Sequence, residues 1–191
     1  MLSLPPRLRR APRLRRLIDD ESGVSAIEFA FIAPILVLLY WGLAEITMAM
    51  MAERRASHSA SAVGDLLAQQ QASITSAGVD QMLNIGVTSM QPFATGTLSL
   101  RVTSVQANAT GSPQVVWSKA QGPGLSKLGA GATVAGFPTG LLAADEAVIM
   151  SEVKYTYNTP TMKVINRTLT FEDVFYLRPR RANVIICPDC P

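Results

Sequence analysis

The chain has 191 residues, 48% of them hydrophobic and 16% charged, with a mean hydropathy of +0.23. That length and apolar content exclude a second full domain and imply one compact domain plus an apolar appendage. The net charge of +3 does not mark a nucleic-acid binder: six arginines against three acids within residues 1–23 account for all of it, and the balanced remainder offers no basic face to a phosphate backbone.

In chain order, the basic leader (residues 1–23) carries Arg7, Arg9, Arg10, Arg13, Arg15 and Arg16, followed by Asp19, Asp20 and Glu21. An apolar run follows, FAFIAPILVLLYWGLA, which continues past Glu45 to Ala52 before Glu53, Arg54 and Arg55. A hydrocarbon core of roughly 30 Å needs about 20 helical residues, and residues 27–52 supply them, so a transmembrane helix is predicted over residues 24–52. The arginines before the run put the amino terminus in the cytoplasm by the positive-inside rule. Everything after it then lies outside the membrane, which in a bacterium means the periplasm or the cell surface. Pro34 is expected to bend the helix or loosen one turn. Glu45 is costly at mid-bilayer, and it reaches the outer interface if the helix tilts or pairs with a partner's cation. An ordinary secretory signal removed near residues 47–49 is a rival, although the apolar run exceeds the usual h-region of roughly 7 to 15 residues.

Beyond the run, Ala52, Ala56, Ala60, Val63 and Leu67 keep a narrow helical stripe, so the membrane helix is predicted to continue into a helical segment over residues 53–91. A second helix is signalled by Val79, Met82, Leu83, Val87 and Met90, with Thr75 or Ser76 as N-cap and Pro92 as terminator. From residue 92 to 191 the pattern changes to alternation. Leu98, Leu100 and Val102, then Val115 and Trp117, then Ile149, Val153, Tyr155 and Tyr157, then Leu169, Phe171, Phe175 and Leu177 predict four or more antiparallel strands. Residues 121–140, rich in Gly, Pro, Ser and Ala, read as a long connection with at most a short helical turn. The predicted class is α+β: a long amino-terminal helix packed on a small antiparallel sheet, with a short carboxyl-terminal tail.

The residues with most functional content lie where leader meets apolar run: Gly23, Val24, Ser25, Ala26, Ile27, Glu28 and Phe29. A glycine followed at the fifth position by a glutamate inside an apolar helix resembles the prepilin peptidase site of type IV pilin-like proteins. Glycine leaves the scissile backbone unobstructed. Glu28 is expected in the first helical turn, where a carboxylate complements the helix dipole. In a filament it can instead pair with the freed α-amine of a neighbour's Val24, a polar contact that sets register. The other reading of the same residues is an uncleaved anchor with an interfacial glutamate.

Taken whole, RRLIDDESGVSAIEFAFIAPILVLLYWGLAEI resembles the amino-terminal signature of TadE-like proteins of the tight-adherence (Flp-type) pilus. SEVKYTYNTP and FEDVFYLRPRRANVIIC are more loosely similar to the strands closing pseudopilin-like domains. The resemblance implies a minor pilin or pseudopilin, cut by a prepilin peptidase after Gly23, with Glu28 as the glutamate of the processing motif. It also implies inner-membrane pilus assembly components and other pilus subunits as partners, beside the lipid bilayer, with the protein in the inner membrane, the pilus or at the cell surface. Valine after the glycine and the long leader depart from major type IV pilins. The alternative is an uncleaved single-pass anchor holding a periplasmic binding module of the cell envelope.

Cys187 and Cys190 have redox-motif spacing but lack the strand-helix setting of a thioredoxin site, so a small structural disulfide in an oxidising compartment is expected, with a periplasmic redox protein as a third reading. His58 shows no catalytic partner in sequence. Asn108 and Asn166 head glycosylation sequons that carry little meaning in a bacterial protein. No phosphate loop, nucleophile elbow or metal-ligand spacing is visible, which leaves catalysis the weakest class and calls for no cofactor or metal.

Overall fold

A computed structural model describes residues 23–159 and 168–190; the leader arginines and the Asn166 sequon lie outside these. The elements are α1 (Val24–Ala68), α2 (Ser76–Ser89), β1 (Leu98–Ala107), β2 (Pro113–Gln121), β3 (Ala147–Tyr157) and β4 (Leu169–Leu177). They form two compact units that meet between Ala44 and Glu45, with α1 running through the boundary and Pro34 inside it. The class is α+β, a long apolar helix and a four-stranded antiparallel sheet in the order β2-β1-β3-β4.

In the unit Glu45–Pro191, α1 turns a small-residue stripe to the sheet: Ala49, Ala52, Ala56, Ala60 and Val63 are buried. Small side chains permit close approach, and the hydrogen bonds show it. The Ser151 hydroxyl on β3 donates to the Ala60 carbonyl at 2.7 Å. The Ser59 hydroxyl donates to the Gly86 carbonyl on α2, also at 2.7 Å. A Cβ on Gly86 would meet Val63 Cγ2 at 2.5 Å, and one on Gly64 would meet Leu177 Cδ1 at 2.6 Å. At Gly86, faced by the buried Val63 and Leu100, glycine is a packing requirement, whereas at Gly64 the Leu177 side-chain tip would have to shift.

Thr75 caps α2, its hydroxyl accepting from Gly78 N–H at 3.1 Å. Val79 and Leu83 on its inner face join Leu100, Val102, Trp117, Ile149 and Val153 in the main core. At the far side of the sheet, the long connection after β2 contributes Val134, with Phe137 and Leu142 packed beside it, to a second cluster with Val105, Val115, Val148 and Met150. No helical turn forms in it. The alternation of β2 is broken by a register shift opposite Ser104 and Val105, which pair with Trp117 and Val115. That bulge sends Trp117 to the main core and Val115 to the second one, so the two residues do not share a face.

Arg101 and Glu152, paired across β1 and β3, form a fork with Nε–Oε2 at 2.5 Å and Nη2–Oε1 at 2.6 Å. The Tyr157 hydroxyl is buried with no hydrogen-bond partner among the described residues, and burial, then the charge of Glu45, hold its pKa above the ordinary phenol value. An orphaned hydroxyl costs about 1–3 kcal/mol. Tyr157→Phe, which keeps the edge-to-face contact with Phe93, is therefore expected to leave stability unchanged or raise it by about 1 kcal/mol. A loss above that in denaturant titration would show that the hydroxyl is satisfied.

Candidate functional site

α1 begins at Val24, directly after Gly23. Gly23 is exposed, and a Cβ added to it would meet nothing within 4 Å among the described residues. Packing against the described residues does not account for a glycine there, unlike at Gly86. Val24, Ile27, Phe29, Phe31 and Ile35 are all exposed, and nothing in the most apolar 18-residue window of α1 is buried. By length and composition this helix can cross a bilayer.

The start of α1 at Val24 corrects one expectation. Glu28 is the fifth helical residue, and the first turn contains no acidic side chain. Dipole complementarity fades within the first turn, so it does not explain this carboxylate. Residues four apart lie on one helix face, so Glu28 stands one turn along from Val24, on the same side.

Residues 45–52, which hydropathy alone joins to the span, belong to the globular unit. Glu45 is 5% exposed and close enough to Tyr157 for its charge to oppose ionisation of the phenol.

The carboxyl-terminal tail is a built element that no periodic pattern announced. The Ile185 carbonyl accepts from Trp117 Nε1 at 2.8 Å and from the Ser104 hydroxyl at 3.1 Å, and its side chain is fully buried. Ile186 exchanges backbone bonds with Ala72 and Ile74 at 3.0 Å each. Cys187 and Cys190 are joined in a disulfide with Cα atoms 5.3 Å apart. The loop it closes aims the Asp189 carboxylate at the Ser76 backbone N–H, 2.8 Å away, at the start of α2. Cys187, Asp189 and Cys190 lie within reach of one another, but sulfurs bonded to each other offer no thiolate to a metal. His58 is exposed and lines a shallow polar hollow with Glu53, Arg54 and Asp173. Asp173 is brought there by β4, a neighbour that sequence proximity does not reveal.

No curated protein and no solved structure matches the chain. Over residues 23–65 the chain matches the family model described as TadE-like protein, the family that the resemblance of its amino-terminal segment names.

Proposed function

We propose that this protein is a minor pilin or pseudopilin-like component of a tight-adherence (Flp-type IV) pilus. In this reading it crosses the inner membrane once, leader in the cytoplasm and α+β domain in the periplasm, and a prepilin peptidase cuts after Gly23. The family match beginning at Gly23 is the observation that carries the reading. Two features support it. A Cβ on Gly23 meets nothing within 4 Å among the described residues, consistent with a residue read by an outside enzyme. The helix after it is apolar and uncovered, suited first to lipid and then to the company of other subunit helices.

Cleavage would free the Val24 α-amine one turn from Glu28, on the same helix face. In an apolar surrounding each charge needs a partner, and the amine of an adjacent subunit meets the Glu28 carboxylate without a further residue. Other pilus subunits and the inner-membrane assembly components would then be the partners of α1 and of the β domain.

Deleting the gene in its own host is expected to remove filaments from the sheared fraction, with restoration by the intact chain and failure of Gly23→Arg to restore. Normal piliation in the deletion strain would contradict the reading and favour an anchored binding module.

A further inference from the structure

We infer that the outer edge of β4 is a docking site for an extended peptide segment of another protein, one that carries a basic residue opposite Asp173. The two edges of the sheet differ. At the β2 edge the long connection folds back: Val115 N–H donates to the Ala132 carbonyl at 2.9 Å, and the Val115 carbonyl accepts from Gly131 N–H at 2.7 Å. At the β4 edge no such cover forms. Every second residue of an edge strand turns its N–H and C=O away from its neighbour. Among the described residues, no backbone partner outside β3 takes up those of Leu169–Leu177. The side chains agree. β3 is mostly buried, whereas not one residue of β4 is, although Leu169, Phe171 and Phe175 pack against the main core. An open ladder of this kind is completed by a strand laid along it.

Asp173 sets the chemistry of that strand. It shares one face of β4 with Phe171 and Phe175, two residues to either side. With Phe175 it lines a hollow of about 560 Å³ whose other wall is Glu53, Arg54, Ser57 and His58 of α1. Because α1 lies on β3, its Ala60 carbonyl taking the Ser151 hydroxyl, and β4 is the last strand, the hollow opens past the sheet edge. Its wall holds two carboxylates against one guanidinium. Glu172, on the opposite face, is paired with Lys154 at 2.7 Å, but Asp173 has no ion pair among the described residues. A strand added to β4 places one side chain directly opposite Asp173, with Cβ atoms about 5 Å apart. A lysine or arginine there meets the carboxylate at the hollow that Glu53 also lines, and apolar residues two positions to either side cover Phe171 and Phe175. That pattern reads the same in both directions, so it serves a parallel or an antiparallel strand. A second copy of β4 fits poorly: paired antiparallel about its middle residue, it sets Asp173 against Asp173, and like charges directly opposite are destabilising.

The test uses the full chain in detergent micelles and two fluorescent synthetic peptides, each with valine two positions to either side of its centre and threonine elsewhere. One has lysine at the centre and the other glutamate. Fluorescence polarisation at low salt is expected to show the lysine peptide binding about ten-fold tighter, the difference between an opposite and a like charge at one cross-strand position. Asp173→Lys is expected to reverse that order, and the isosteric Asp173→Asn to bring the two peptides within about three-fold. Hydrogen exchange should slow at alternate amides of β4 when the lysine peptide is bound, because only every second residue faces the added strand. Failure of both peptides to bind, equal binding of the two, an unchanged order in Asp173→Lys, or slowed exchange elsewhere than in β4 would each overturn the inference. Protection of the β4 amides that rises with protein concentration in the absence of peptide would assign the edge to a second copy and overturn it as well.

Discussion

Gly122→Ala is expected to destabilise the β domain by about 2–5 kcal/mol, a large part of the 5–15 kcal/mol that holds a domain of this kind together. Gly122 follows β2 directly at φ +98°, a left-handed conformation that costs an alanine about 1–2 kcal/mol. The added Cβ would also run into the Leu98 carbonyl oxygen and stand 2.8 Å from Ser99 Cα. Those atoms are backbone of central strand β1 and cannot swing aside as a side-chain tip does, so a further 1–3 kcal/mol of overpacking is expected at about that scale. Ser99 is fully buried and its hydroxyl accepts from Gly124 N–H at 2.6 Å, so any retreat of β1 also loosens that bond. Gly129→Ala is the control: nothing lies within 4 Å of its added Cβ. Near-UV circular dichroism against denaturant in detergent should show a large fall in midpoint for the first variant and almost none for the second. Equal midpoints would mean that the turn after β2 is not built as described.

Ending the chain after Asn183 is expected to abolish the cooperative transition altogether. The loss of the Ile185 side chain costs about 2–5 kcal/mol. The Trp117 indole N–H and the buried Ser104 hydroxyl each lose the carbonyl they share, about 1–3 kcal/mol apiece. The Asp189 contact with the start of α2 goes too, worth about 1 kcal/mol. Ile185→Ala keeps the backbone carbonyl and is expected to cost only the first of these. Reducing the disulfide, which closes a very short loop, is expected to cost about 2 kcal/mol. A truncated chain that still unfolds cooperatively near the wild-type midpoint would show the tail to be dispensable.

The contrast between tail and strands explains what could be read in the sequence. Val79, Leu83 and Val87 announce α2 because a helix repeats its buried face every three to four residues, and Tyr155 and Tyr157 announce β3 because a strand repeats every two. Thr75 was legible as a cap for a local reason: its hydroxyl serves an amide three residues on. Ile185 has no period to belong to; its importance arises from Trp117 and Ser104, far off in the chain. The same holds for Gly86, a poor helix residue until Val63 and Leu100 are seen against it. Val115 and Trp117 look like one face until the bulge separates them. At the candidate site, the TadE-like match from Gly23 onward was legible because such a signature is local in sequence, whereas the cover over Glu45 is tertiary and left no mark on hydropathy.

The proposed pilin-like role is tested most directly by the first residue of the mature chain. Intact-mass and amino-terminal analysis of protein extracted from membranes of its own host should return a mature chain beginning at Val24, with or without methylation of the α-amine, and Gly23→Arg should block the change. A chain that keeps residues 1–23 in cells containing an active prepilin peptidase would contradict the account.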